Sequence, residues 1–460
     1  MTSQPTTELT RDLAGIVGAT NVLADEIPEV YTHDEAIDVK PVTPRALVFV
    51  TATDQVQELI RYAQRHQLPI VARGSGTGLS GGAQPIPNGI VVSFERMNQI
   101  LEINTADQTA RVEPGVTLAQ LEEALAPTPY FYPVYPGEMS SSLGGNVATN
   151  AGGMRAIKYG VTRHNVLGLE FVTGAGVTLR SGGSYVKTSS GYDLTQLITG
   201  SEGTLALVTQ VLVRLSPRPR HRSLLLASFS DFPAIADAVV AIADRGLTPS
   251  ILEYVEATSL RAMTRHVGVD LGVSDEEIAH STAFLMVELE TMDVDDLERT
   301  ISELVGVIGE HQSTNQYLLD ERQRRDLIAA RESAFWTVKQ LGANAVLDTV
   351  VPRSKLAELF AGVAQLGVEH DTIVAGTGHV GDGNVHLSVF QADPAACHNI
   401  TAAIINLAER LGGAVSGEHG IGVAKRSFLL DALSHEQLEL YRSLKSVFDP
   451  ANILNPGKLL

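Results

Sequence analysis

Apolar positions along the chain fall into two periods. Val56, Leu59, Ile60 and Ala63 share one helical face, and Asp54, three residues before Gln57, is placed to cap that helix. Runs at 47–51, 69–72, 90–94, 101–103, 110–112 and 204–213 read as strands, with a short helix expected over 9–18. The first half is therefore α+β without regular alternation. Pro217–Arg220 reads as a linker. Beyond it, helices over 232–244 (with Gly246 after its end), 294–311 and 354–366 (closed by Gly367) flank a strand over 283–290, as in a sheet covered on one face.

Length and charge narrow the picture. The 460 residues exceed what one simple core serves, so two or three folding units are expected. With 34 basic against 53 acidic residues, the net charge of -19 disfavours nucleic acid and anionic lipid as partners. The single cysteine, Cys397, excludes an intrachain disulfide and a cysteine-held iron–sulfur cluster. The N-terminus has no basic start followed by an apolar stretch, and no segment approaches about 18 uninterrupted apolar residues. A cytoplasmic protein without membrane insertion is expected.

Glycines concentrate in a few runs. Gly76, Gly78 and Gly81 form a literal G-x-G-x-x-G after an expected strand, with Glu102 at a distance suited to a ribose contact. A dinucleotide fold needs a helix to begin at that loop, and Gln84-Pro-Ile-Pro87-Asn-Gly89 cannot supply one. No lysine followed by Ser or Thr closes a P-loop either. What remains is a row of backbone N–H groups headed by Arg73, suited to a pyrophosphate.

Three segments then carry a resemblance. They are the loop of Arg73, Gly74, Ser75, Gly76, Thr77, Gly78, Ser80, Gly81 and Gly82; the run from Pro136 and Gly137 through Gly144, Gly145 and Asn146 to Asn150, Gly152 and Gly153; and the turn holding Glu202 and Gly203, ahead of Val208. In order and spacing these resemble the FAD domain of the vanillyl-alcohol-oxidase type, over roughly residues 40–220. The resemblance implies that these residues line the FAD site. Members that link FAD covalently carry a His in the first loop, and none stands between Arg73 and Gly82, which implies non-covalent FAD. Asn455 matches a family C-terminal tail that folds back on the flavin domain.

A second constellation lies near the C-terminus. With Asp382-Gly383 as a two-residue hairpin tip, His379 stands opposite His386, close enough to share a metal. Glu418-His419 adds a carboxylate and a further imidazole, and two His with one carboxylate suit Zn²⁺, with Mn²⁺ and Fe²⁺ as alternatives. The pattern is similar to the family branch that holds D-lactate dehydrogenases, the glycolate oxidase flavin subunit and D-2-hydroxyglutarate dehydrogenase. That likeness implies His379, His386 and Glu418 as metal ligands, His419 as the base, and Arg331 as the partner of the substrate carboxylate. The implied reaction oxidises a small D-2-hydroxy acid: His419 takes the hydroxyl proton while the C2 hydrogen leaves as hydride to the flavin. An electron acceptor, a protein or a quinone, then completes turnover.

The substrate expected is of the D-lactate or glycolate type. In hydroxyglutarate-type relatives a threonine and a lysine follow the arginine where this chain has Phe335 and Val346, although Lys339 lies within reach on a helix. The alternatives are D-2-hydroxyglutarate oxidation, a non-redox alkyl-transferase on the same fold, and a non-catalytic subunit that has lost the metal set. The expected architecture is an α+β FAD-binding domain of two subdomains over 1–220, an α+β cap with a largely antiparallel sheet and the metal hairpin over 221–415, and a segment returning to the FAD domain over 416–460. Trp336 is expected in the cap core, His164 in a structural place, and Lys187, Tyr192 and Asp193 in packing or near the FAD domain core.

Overall fold

The computed structural model describes residues 6–460. Its first half carries two large sheets and a two-stranded pairing of Tyr130–Phe131 with Ser216–Pro217. Strands Ala46–Phe49, Ile90–Ser93 and Ile70–Arg73 run parallel in a four-stranded sheet whose edge is the antiparallel Val22–Leu23. Helix Thr53–His66 covers it with Val56, Leu59, Ile60 and Ala63, the expected face, all buried. Its cap differs from expectation. The helix starts a residue before Asp54, which sits in the first turn, and the N-cap Ala52 makes no side-chain bond; instead Gln55 turns back to accept from Thr51 N at 2.9 Å. The second sheet is antiparallel, in the order Ile100–Asn104, Thr109–Val112, Ala206–Arg214, Val166–Thr173, Thr178–Gly182.

The second half is built on a seven-stranded sheet, antiparallel at every pairing: Asn315–Leu319, His221–Phe229, Ala283–Thr291, Ile251–Glu256, Ile373–Gly378, Asn384–Phe390, Ala345–Val350. The expectation of cover on one face is corrected. Leu225, Leu252 and Leu285 pack under helices Phe232–Asp244, Val294–Glu310, Leu356–Glu369 and Pro394–Arg410. Leu224, Ile251 and Phe284, on the opposite face of the same strands, pack under Ala257–Val267 and Glu321–Glu332. With both faces dry, the strands read as continuous apolar runs in place of alternation. Each aliphatic side chain so buried contributes about 1.5–3 kcal/mol. Gly367 does not close its helix, which runs through it to Glu369; the chain turns at Asp371, whose φ is 46°.

The C-terminal segment returns to the first half. Ile70 N donates to Ile453 O and Asn455 N to Ile70 O, each at 2.8 Å, so the tail adds to the edge of the parallel sheet. Among the described residues no helix is long and apolar enough to cross a membrane.

Candidate active site

A cavity of about 530 Å³ lies between the glycine-rich loops of the first half and the end of the seven-stranded sheet. Every residue from 73 to 82 except Gly81 lines it, as do Pro136, Gly137, Gly144, Gly145, Asn146, Gly152, Glu202, Gly203 and Val208. No helix follows the first loop, in line with the exclusion of a dinucleotide fold. Arg73 does not aim its guanidinium at the cavity; Nη1 and Nη2 donate to His33 O and Val30 O at 2.7 Å, which braces the loop from behind.

Four expected cofactor residues lie outside the cavity lining. Asn150 ends helix Leu143–Thr149 at φ 54° and accepts from Arg163 N at 2.9 Å. Gly81 and Gly153 hold left-handed turns, at φ 77° and 117°. Asn455 sits behind the loops, its Nδ2 donating to Gly82 O at 3.0 Å and Glu202 O at 2.8 Å. Glu202 is itself a joint: its buried carboxylate accepts from Ile421 N and Gly422 N at 2.7 Å each.

The three expected metal ligands meet at the other wall. His379 Nε2 lies 2.8 Å and His386 Nε2 3.2 Å from Glu418 Oε1, and the donor atoms of all three fall within 4.8 Å of one another. The hairpin register differs from the expected one. His386 pairs with Thr377, and His379 precedes a 3-10 turn, Val380–Asp382, closed by Gly383 at φ 77°. Val380 is buried, and Gly381 packs so closely that a Cβ there would fall 2.4 Å from Ile157 and 2.9 Å from Leu252; anchoring that turn in the core uses up the residues a simple hairpin would pair. The register shifts by two, which preserves the face. The two imidazole rings therefore still meet, edge to face, with centroids 4.8 Å apart.

Two carboxylates that the sequence reading did not single out organise this cluster. Glu253, fully buried on Ile251–Glu256, is hydrogen-bonded to His379 Nδ1 and so turns Nε2 toward Glu418. Burial opposes protonation of His379, yet Glu253 and Glu418 push its pKa up to about 10. Asp348 Oδ2 accepts from Gly417 N at 3.0 Å, Glu418 N and His419 N at 2.8 Å, and Ser416 Oγ at 2.7 Å, while Oδ1 accepts from Asn384 Nδ2 at 2.7 Å. Burial would raise the Asp348 pKa, but His419, His386 and Lys425 hold it well below the usual range. Asp348, His386 and His419 also lie within metal-sharing distance, but the Asp348 lone pairs are taken by these donors, which leaves His379, His386 and Glu418 as the free set. Gly152 completes the approach, since a Cβ there would come within 2.5 Å of Glu418 Oε2.

His419 stacks on His386 at 4.8 Å with an interplanar angle of 5°, and its Nδ1 is buried without a hydrogen-bond partner. Burial lowers its pKa to about 4, with Asp348 opposing. Arg331 is buried and lines the cavity; Nε donates to Glu253 Oε2 at 2.8 Å, and Nη2, 2.8 Å from the same oxygen, has no hydrogen-bond acceptor. Beside it, Glu332 faces the cavity with a pKa raised by burial to about 7 and accepts a hydrogen bond from Tyr135.

Several expectations about flanking residues are settled by position. Trp336 is 42% exposed and lines the cavity, not the cap core, because helix Ala334–Gln340 runs along the mouth. Lys339 is not itself in the cavity wall, but it pairs at 2.6 Å with Glu35, which is. His164 makes a local contact, accepting from Val161 N at 3.1 Å. Tyr192 is 97% exposed, which excludes packing, and Asp193 caps Leu194–Ile198.

Comparison with known proteins adds the following. Residues 44–182 match an FAD binding domain, and residues 218–459 match the C-terminal domain of FAD linked oxidases. An uncharacterised FAD-linked oxidoreductase of Mycobacterium tuberculosis is 46% identical, with 98% of both chains covered. The glycolate oxidase subunit GlcD of Bacillus subtilis is 35% identical over 94% of this chain and 92% of its own. A D-lactate dehydrogenase of Archaeoglobus fulgidus is 36% identical over 94% and 96%. Among solved structures, p-cresol methylhydroxylase with substrate bound superposes with a TM-score of 0.82 at 18% identity, over 98% of this chain and 96% of that one.

Proposed function

The chain belongs to the FAD-linked oxidases, and on that premise we propose that it oxidises a D-2-hydroxy acid to the 2-keto acid, with a divalent metal held by His379, His386 and Glu418. The observation that carries this reading is the convergence of those three donors within 4.8 Å, beside Arg331 and His419, on the wall facing the glycine loops. When bound, FAD supplies a hydride acceptor and the metal a Lewis acid for the hydroxyl and carboxylate.

The chain's own residues supply the rest. The unaccepted Nη2 of Arg331 offers a charge-assisted hydrogen bond to the substrate carboxylate. His419, kept neutral by burial, accepts the hydroxyl proton as the C2 hydrogen leaves. Its orientation is fixed by the stack on His386 and by Asp348, which holds its backbone N. The glycine loops hold FAD without a covalent link, and a protein or quinone acceptor reoxidises it. Two relatives named for glycolate and D-lactate support this substrate type. The D-2-hydroxyglutarate reading is disfavoured because Phe335 and Val346 face the cavity while Lys339 is already neutralised by Glu35, a carboxylate of the cavity wall. An unpaired second carboxylate there costs several kcal/mol.

The purified yellow protein, mixed anaerobically with D-lactate or glycolate, is expected to bleach. His419→Gln is expected to bind the acid yet reduce its flavin at least about two orders of magnitude more slowly. A flavin that no 2-hydroxy acid bleaches, or a variant of unchanged rate, rejects the assignment.

A further inference from the structure

The strand register around the metal-ligand cluster lays out more than a catalytic head. In the last three strands of the large sheet, residues stand opposite each other in rows that share one face. The first row is Thr377, His386 and Asp348; the second is Ala375, Ser388 and Val346; the third is Ile373 and Phe390. Alternate residues on a strand share a face, so successive rows lie about 7 Å apart. From the second row outward, all five of these residues line the cavity, and Ser388 alone among them is polar.

Apolar side chains also reach the cavity from the neighbouring helix. Helix Ala334–Gln340 presents Phe335 and Val338 to the cavity, with Leu341 just beyond its end. At the far end the trough opens to solvent, where Ile373 is 71% exposed. The cation of helix Ala334–Gln340 is already paired, with Lys339 Nζ 2.6 Å from Glu35, a carboxylate of the cavity wall, and Glu332 supplies a second carboxyl to that wall. A second anionic group on the substrate meets the carboxyls of Glu35 and Glu332 and a lysine already paired with the first, whereas an alkyl tail meets the apolar side chains of the sheet and of helix Ala334–Gln340.

Resting on the proposed oxidation of a D-2-hydroxy acid, we propose that the preferred substrates are monocarboxylic D-2-hydroxy acids whose unbranched alkyl tail runs from the first row along the second and third, past Val346 and Ala375 to Phe390 and Ile373. Short acids such as D-lactate fill the head of the site and leave the trough to water. The trough is a specificity device, with the chemistry unchanged along it.

The test uses the FAD-loaded, metal-replete protein and two readouts. Anaerobic flavin reduction is followed with D-lactate, D-2-hydroxyhexanoate, D-2-hydroxyoctanoate and D-2-hydroxyglutarate, and calorimetry measures binding of the corresponding 2-keto acids. The proposal expects the apparent second-order rate constant for reduction and the affinity to rise about fourfold per added methylene until the third row is covered. Binding of the longer keto acids should show an increasingly negative heat-capacity change. Phe390→Ala should flatten the gain at the longer lengths, and Ile373→Asp, at a position 71% exposed, should reverse it there. Best performance with D-lactate, a dependence on length that is absent, or preference for the dicarboxylate overturns the trough while leaving the oxidation itself standing. Failure of every hydroxy acid to reduce the flavin overturns the underlying reaction as well.

Discussion

Glu253 serves two side chains from one buried position. His379 Nδ1 is bonded to one of its oxygens and Arg331 to the other, so the metal-ligand cluster and the proposed carboxylate clamp are aligned by the same side chain. Glu253→Gln keeps the shape but replaces one acceptor by a donor, and the His379 tautomer and the Arg331 contact cannot both survive it. The expected outcome is a metal affinity lowered about 10–100-fold, the usual effect of losing such an orienting partner, with the FAD content unchanged. Metal-to-flavin ratio after dialysis against a weak chelator checks this; a ratio equal to wild type removes Glu253 from the role. Neither Glu253 nor Asp348 was legible as a site residue, because each lies in an apolar strand run where nothing local marks a carboxylate as a partner of a distant histidine. His379, His386, Glu418 and His419 were legible because short spacings with Asp-Gly and Glu-His narrow the chemistry by themselves.

At the level of elements, helix faces were read well and their ends less so. The apolar face of Thr53–His66 depends on periodicity that neighbours do not alter, whereas its N-terminus was decided by Gln55 reaching back to Thr51. The hairpin shows the same division: parity kept both histidines on one face, and burial of Val380 decided the register. Strand Ile251–Glu256 ends on Glu256, whose pKa is raised by burial to about 8. From about pH 4.5 to 8 the folded protein keeps a proton there that the unfolded chain releases, so this group's contribution to stability falls as pH rises through that window and is constant above it. Glu256→Gln is therefore expected to leave stability near pH 4.5 unchanged and to raise it by about 4 kcal/mol at pH 8 and above. Denaturant melts at the two pH values test this; an equal effect at both rejects it.

Across the whole molecule, the cofactor loops are held by the far end of the chain. Asn455 ties Gly82 O to Glu202 O at a φ of 44°, Lys458 Nζ donates to Gln84 O at 2.7 Å, and Glu202 receives the backbone of 421 and 422. Asn455→Ala strands two buried carbonyls and strains a left-handed position, and is expected to lower stability by about 2–3 kcal/mol and to speed FAD loss on dilution. Fluorescence of released FAD and thermal melting read the two effects, and unchanged retention places the tail outside cofactor binding. The sequence by itself determined that no helix follows the first glycine loop and that two histidines of one hairpin share a face, because backbone conformation and strand parity are local properties. Tertiary structure alone decided that Arg73 and Asn455 brace the loops from behind, that Glu253 and Asp348 orient the cluster, that Glu418 and His419 join the two histidines, and that Glu35 neutralises Lys339. Those outcomes follow from which buried groups meet across the fold, and a hydrogen bond between residues more than a hundred positions apart, such as Glu253 with His379, leaves no mark in either neighbourhood.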